Sequence, residues 1–78
     1  MQLRIISPTG VRFEGEVQRV SLPGTKAPFV VLRSHAPLIS SLTAGEIVYT
    51  DAAGAEASIG IEGGFVEVCR DKIVVCVE

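Results

Sequence analysis

The sequence has no tryptophan, a single histidine and only two cysteines among its 78 residues. One histidine cannot form a His-based metal cluster, and two cysteines cannot build the disulfide framework of a small secreted domain. No apolar run approaches the roughly 20 residues that span a bilayer. The N-terminus also lacks the long apolar core of a secretory signal. We therefore expect a cytoplasmic protein with reduced thiols and no direct membrane insertion.

Charge of either sign is also sparse. The chain has seven basic and nine acidic residues, a net charge of -2, and neither sign forms a run. This balance argues against nucleic acid or an anionic membrane as the partner. The segment Pro23-Gly24-Thr25-Lys26 lacks the spacing and the following helix of a phosphate-binding loop. We expect no cofactor and no metal.

Glycine and proline, by contrast, are frequent, with eight and four copies, and they divide segments rich in valine and isoleucine. Short β-branched segments between such breaks are typical of an all-β fold, a sandwich or a barrel. The length allows one domain, residues 1–78. A chain this short buries only about 60–65% of its unfolded surface, so we expect a thin core that a partner helps to stabilise.

Alternating apolar residues place the first strands. Leu3 and Ile5 mark one strand, and a second runs from Val11 to Glu14. A third covers 17–22. Gly15 marks either a bulge or a close backbone approach, and the apolar offset from Val17 to Val20 indicates a bulge nearby. The central stretch, residues 29–38, then reads as a strand, a surface corner and a further strand.

The two cysteines fall in a final hairpin. With its tip at Asp71-Lys72, Cys69 would lie opposite Val74 and out of register with Cys76. A disulfide between the cysteines is therefore not expected. We predict two buried structural thiols.

His35 is the one residue that could serve as a catalytic base. Its neighbour Ser34 would point to the opposite side of an extended segment, which is poor geometry for a nucleophile. A Ser–His–Asp triad would need Asp51 or Asp71, and both fall in predicted hairpin tips. We therefore interpret His35 as a corner residue with a structural role or a role in a protein interface.

Several short motifs occur together and in a fixed order. They are Ser7-Pro8-x-Gly10, Phe13-x-Gly15-x-Val17, Leu22-Pro23-Gly24-Thr25, Val31-Leu32-x-x-His35-Ala36-Pro37-Leu38 and Gly63-Gly64-Phe65-Val66-Glu67-Val68. Together they resemble the N-terminal domain of the epsilon subunit of F-type ATP synthases, and the resemblance covers essentially the whole chain. The last two motifs are the most specific.

The resemblance implies a flattened two-sheet sandwich of about ten short strands. It also implies a non-catalytic subunit of the central stalk, which docks on the gamma subunit and on the polar loops of the c-ring. Such a subunit couples ion-driven rotation to ATP synthesis or hydrolysis. Its implied location is the cytoplasmic side of the bacterial inner membrane, as a peripheral part of the complex.

The motif positions also imply contact residues. The implied c-ring side comprises Thr25, Lys26, Pro28, Phe29 and Arg33. The implied gamma side comprises Ser7, Ser34 and His35.

Two departures from the family pattern affect these expectations. Ala27 and Pro28 stand where the family usually has glycine and an acidic residue, and Arg33 and Ser34 replace proline and glycine. The loop should therefore be stiffer and less acidic than in relatives. The family usually continues into a C-terminal two-helix domain, which is absent from these 78 residues.

Two other functions are compatible with the residues alone. One is a β-sandwich adaptor, unrelated to the rotary motor, that binds a protein through a sheet edge or the central corner. The other is a small-molecule-binding or enzymatic barrel, which would need a pocket with convergent polar groups.

Overall fold

The computed structural model describes all 78 residues as an all-β fold without helices, which confirms the predicted class. Eight strands are present, close to the ten or so that the resemblance implies. The strands are β1 Gln2–Ser7, β2 Gly10–Leu22, β3 Phe29–Leu32, β4 Leu38–Leu42, β5 Gly45–Asp51, β6 Glu56–Ile61, β7 Gly64–Cys69 and β8 Lys72–Val77. No helix has the length and apolar character needed to cross a bilayer.

Strand β2 combines two segments that the sequence predicts as separate strands. Its thirteen residues pair with β1 as far as Glu16 and with β5 from Val17 onward. The register shifts between Val17 and Arg19, so Gln18 is the extra residue of a β-bulge. The bulge therefore lies between Val17 and Val20, where the apolar spacing indicates one, and Gly15 pairs regularly with Leu3. Gln18 and Arg19 both face solvent, which is why the apolar alternation breaks there.

Because β2 bends at this bulge, it takes part in two sheets. Sheet A has the order β4-β7-β8-β1-β2, and sheet B has the order β3-β2-β5-β6. All neighbouring strands are antiparallel except β1 and β8. The shared strand curls the sheets around one interior, and the molecule is flattened, measuring 27 × 25 × 17 Å.

The interior is entirely apolar. No polar side chain is buried, and the aromatic rings of Phe13 and Tyr49 meet at 4.3 Å between centroids, linking the two parts of the core. Each fully buried valine, leucine or isoleucine contributes roughly 1.5–3 kcal/mol. The core consists of Met1, Leu3, Ile5, Val17, Val20, Leu22, Val31, Leu42, Ile47, Tyr49, Ile61, Val66, Val68, Ile73, Val75 and Val77.

The β7–β8 hairpin corrects the prediction for the cysteines. Its turn is formed by Arg70-Asp71, so Cys69 pairs with Lys72 and Cys76 pairs with Phe65. Both thiols are free, as predicted, but Cys69 is exposed and Cys76 only half-buried. The predicted burial was wrong because valine and isoleucine fill the inward positions of both strands, which leaves the cysteines on the outer face of sheet A.

Candidate docking surface

The loop between β2 and β3 is fixed to the free side of β4. The Thr25 amide donates to the carbonyl oxygen of Ser41 at 3.0 Å, and the two hydroxyl oxygens lie 2.8 Å apart. One step further, the Thr43 amide donates to the Pro23 carbonyl at 2.9 Å. These bonds hold the start of the loop in one position against sheet A.

Gly24 allows the loop to pack closely on β3. It is buried and forms an isolated bridge with Leu42. A Cβ atom at this position would lie 2.9 Å from the ring of Phe29 and against the carbonyl of Ala27. The ring of Phe29 therefore packs directly against the Gly24 backbone. Phe29 is half-buried, and part of its ring faces solvent.

The loop and β4 border a shallow, open depression. Its most exposed apolar side chain is Ile39, which is 76% exposed, the largest value among the bulky hydrophobics of the chain. An exposed isoleucine beside a half-buried phenylalanine and the Lys26 ammonium offers both apolar area and positive charge to a partner. The depression is lined by Thr25, Lys26, Ala27, Pro28, Phe29, Ile39, Ser40 and Ser41.

The central corner is a tight turn on the surface, as predicted. Ser34 has a φ of 69°, and the His35 amide donates to the Leu32 carbonyl at 3.1 Å, which closes the turn. The ring nitrogen Nδ1 of His35 lies 2.7 Å from the Ala36 carbonyl oxygen. Arg33 and Ser34 are exposed and His35 is half-buried, so all three present polar groups to solvent.

The structure brings four of the five residues on the implied c-ring side together. Thr25, Lys26, Pro28 and Phe29 all line the depression. Arg33 lies at the other end of β3, a strand of four residues that spans roughly 13 Å. Arg33 makes no ion pair within the chain, so its charge is available to a partner.

The three residues on the implied gamma side do not form one cluster. Ser7 ends β1 in sheet A, where its hydroxyl donates to the Gly10 carbonyl at 3.1 Å. Ser34 and His35 follow Leu32, which pairs with Arg19 in sheet B. Gly10 begins β2 and Arg19 lies nine positions further along this bent strand, so most of its thirteen residues separate the two places. A partner that contacts both places must extend along β2.

The corner carries no catalytic arrangement. Asp51 and Asp71 lie at hairpin turns, where Asp51 Oδ1 accepts bonds from the Ala53 and Ala55 amides at 2.9 Å. Asp71 Oδ1 lies 3.7 Å from the amino group of Met1. Neither carboxylate approaches His35 by a hydrogen bond, and no three His, Cys, Asp or Glu side chains converge in a way that could hold a metal ion.

Sequence reasoning missed a second apolar area on the outer face of sheet A. The register aligns four side chains across neighbouring strands, and two of them, Val11 and Phe65, are 50% and 52% exposed. The sequence signal for this area was the occurrence of two apolar residues in succession within a strand. Successive side chains point to opposite faces, so one of the two must lie on the outer face. The aligned residues are Phe65, Cys76, Ile6 and Val11.

The chain is thus a two-sheet β-sandwich with an apolar interior and several exposed apolar side chains. The whole chain, residues 1–78, matches the family described as the ATP synthase, Delta/Epsilon chain, beta-sandwich domain. The chain belongs to that family.

Several similar proteins are named ATP synthase epsilon chain. The ATP synthase epsilon chain of Sulfurovum sp. (strain NBC37-1) is 41% identical over 78 residues, which are all of this chain and 61% of that protein. The epsilon chain of Chlorobium limicola is 36% identical over 77 residues, 99% of this chain and 88% of that protein. The chain spans about 60% of the length of several of the curated relatives that it matches.

Solved structures share the fold. A chain of the Euglena gracilis mitochondrial ATP synthase, from a structure of OSCP/F1/c-ring, superimposes with a TM-score of 0.89 at 18% identity and covers 96% of this chain and 48% of its own. A chain of the Tetrahymena thermophila mitochondrial ATP synthase, from a structure of the central stalk and c-ring, gives 0.79 at 17% identity and covers 99% and 62%.

Proposed function

We propose that the protein is a non-catalytic subunit of the central stalk of an F-type ATP synthase. The observation that carries this function is the match of the entire chain to the epsilon family, with 41% identity to a named epsilon chain. Family membership favours this function over an unrelated adaptor. The protein would act at the cytoplasmic side of the bacterial inner membrane, as a peripheral part of the complex.

The depression beside β4 is the proposed contact with the polar loops of the c-ring. Phe29 and Ile39 supply apolar area, and Lys26 supplies positive charge at its border. The hydrogen bonds between Thr25 and Ser41 hold the loop in place, so the loop loses little conformational entropy when a partner binds. The proposed ring-side residues remain Thr25, Lys26, Pro28, Phe29 and Arg33.

The proposed gamma contact uses Ser7 at one place and Ser34 with His35 at another. Because these places lie on different sheets along β2, gamma would have to follow the body of the domain. A broad contact of this kind suits a subunit that transmits torque. The torque is shared among many weak contacts, and a rigid domain transmits it without deforming. Chemistry at the site is not needed for that role.

Binding of gamma and of the c-ring can be measured separately. We expect His35→Ala to weaken binding of purified gamma at least tenfold, because interface energy concentrates in a few well-placed side chains. Phe29→Ala should weaken binding of a detergent-solubilised c-ring and leave gamma binding within twofold. Both constants are measured by biolayer interferometry with the 78-residue chain immobilised.

Arg33→Glu should weaken ring binding by reversing an unpaired charge. A matched control is Arg70→Glu, because Arg70 is also an exposed arginine in a tight turn but lies in the β7–β8 hairpin. If both reversals act equally, the effect is one of net charge and the assignment of Arg33 is wrong. If neither His35→Ala nor Phe29→Ala changes either constant, the docking surfaces lie elsewhere.

A further inference from the structure

Strand β6 is an open edge of sheet B. It pairs with β5 on one side and with no strand on the other. Its first three residues, Glu56, Ala57 and Ser58, are exposed on both faces of the sheet, so this end of the hairpin projects beyond the sandwich. The strand contains no proline, lysine or arginine, which are residues that commonly block such edges.

The register identifies which backbone groups face the open side. The turn between β5 and β6 is closed by the Asp51 amide, which donates to the Ala55 carbonyl at 2.9 Å. Hydrogen-bonded pairs alternate along an antiparallel ladder, so the pairs that bond to β5 continue at Ala57 and Ile59. The N–H and C=O groups of the residues between them therefore point outward. These outward residues are Glu56, Ser58 and Gly60.

Within the β5–β6 hairpin the charge has one sign, and the nearest basic residue in the sheet register is Arg19 of β2, opposite Thr50 of β5. No lysine or arginine occurs from residue 34 to residue 69. The β5–β6 hairpin and its flanks carry four carboxylates, and none of them forms an ion pair in the structure. Three are exposed and one is half-buried. The four are Glu46, Asp51, Glu56 and Glu62.

We propose that the β6 edge binds an extended, basic segment of a partner protein, which adds to sheet B as a fifth strand. The outward groups of Glu56, Ser58 and Gly60 supply main-chain hydrogen bonds, as in other strand-addition interfaces. The carboxylates attract lysine or arginine side chains of the added strand and steer its approach. Small side chains at Ala57, Ser58 and Gly60 leave room for its backbone.

The same charge argues against a second copy of this chain as the occupant. Pairing of two β6 edges would bring eight carboxylates together, four from each hairpin, with no nearby cation of the hairpin to compensate them. The edge is also distinct from the proposed ring and gamma contacts. The sequence-predicted corner follows β3, which lies at the opposite side of sheet B, with β2 and β5 between β3 and β6.

The test uses the 78-residue chain and an acetylated, amidated hexapeptide of alternating lysine and valine. Binding is followed by amide hydrogen exchange measured by NMR. We expect the amides of Glu56, Ser58 and Gly60 to exchange at least tenfold more slowly with saturating peptide. The amides of Ala57 and Ile59, already bonded to β5, should change less than threefold.

Two control peptides separate charge from backbone pairing. Replacing lysine by glutamate should abolish binding, and N-methylation of alternate amides on one edge of the lysine peptide should weaken it at least tenfold. Equal binding of the lysine and glutamate peptides would overturn the proposal. So would slower exchange of the three outward amides that grows with protein concentration without peptide, because a second copy would then be the occupant.

Two variants complete the test. Ser58→Pro removes one outward N–H without removing a bond to β5, and should weaken peptide binding at least tenfold. The double variant Glu46→Gln and Glu56→Gln keeps side-chain size and removes two charges, and should weaken binding at least threefold at low salt and by less at high salt. If both variants are folded and bind as the unaltered chain does, the edge is not the site. If Ser58→Pro does not fold, the double variant alone decides.

Discussion

At the scale of single residues, position 64 is the one that most clearly requires glycine. Its φ is 149°, and a Cβ atom there would collide with the carbonyl oxygen of Cys76 and lie 3.0 Å from the Cα atom of Val77. Gly64 opens β7 and pairs with both Leu42 and Val77, so neither neighbour can withdraw without breaking a ladder. Steric exclusion of a side chain therefore explains the glycine at the second position of the motif Gly63-Gly64.

We predict that Gly64→Ala lowers the free energy of unfolding by at least about 2 kcal/mol, through backbone strain and the collision with β8. The matched control is Gly60→Ala, because Gly60 is also in a strand but has open space where a Cβ would lie. That variant should change the free energy of unfolding by less than about 0.5 kcal/mol. Urea denaturation followed by far-UV circular dichroism measures both; equal values would contradict the steric explanation.

At the scale of elements, the direction in which each strand faces decides what its apolar residues do. Ile5 in β1 is fully buried between β2 and β8, whereas Ile39 in β4 is 76% exposed. Both are isoleucines in strands of sheet A. Ile5 lies in a central strand and Ile39 in the edge strand β4, so the pair contrasts a core position with a surface position and separates stability from docking.

We predict that Ile5→Ala lowers the free energy of unfolding by about 2–5 kcal/mol, because it removes buried methyl groups and leaves a cavity. Ile39→Ala should change it by less than about 0.5 kcal/mol, since solvent already reaches that side chain. Urea denaturation provides the measurement. A loss of stability at Ile39 similar to that at Ile5 would mean that Ile39 packs inside the fold and is not a contact residue.

At the scale of the whole molecule, β2 ties the two sheets into one unit. A single strand supplies hydrogen bonds to β1 in sheet A and to β3 and β5 in sheet B. The ring of Phe13, opposite Ile5 in sheet A, touches the ring of Tyr49 in sheet B. Neither sheet can unfold alone without exposing the apolar face of the other.

We therefore predict one cooperative unfolding transition. Tyr49 is the only tyrosine and the chain has no tryptophan, so intrinsic fluorescence reports on sheet B, whereas far-UV circular dichroism reports on both sheets. The two signals should give the same urea midpoint. Separate midpoints would show that β2 does not couple the sheets.

The sequence by itself determined the class of fold, most strand positions and the family. Alternation of valine and isoleucine between glycine and proline breaks is enough for an all-β assignment, because side chains of a strand alternate between two faces. The strands predicted around Leu3 and Ile5 and from Val11 to Glu14 lie within β1 and β2. The ordered motifs predicted the epsilon family, and the turn at Ser34 and His35 lies on the surface as predicted.

Only the tertiary structure decided how those strands share sheets and which surfaces remain open. The union of two predicted strands into β2, the exposure of Cys69 and the separation of Ser7 from His35 all depend on pairing between distant segments. The open edge of β6 is likewise defined by the absence of a neighbouring strand. Local sequence sets which residues alternate, whereas register and sheet order are set by contacts far apart in the chain, where one shifted residue turns a side chain to the other face.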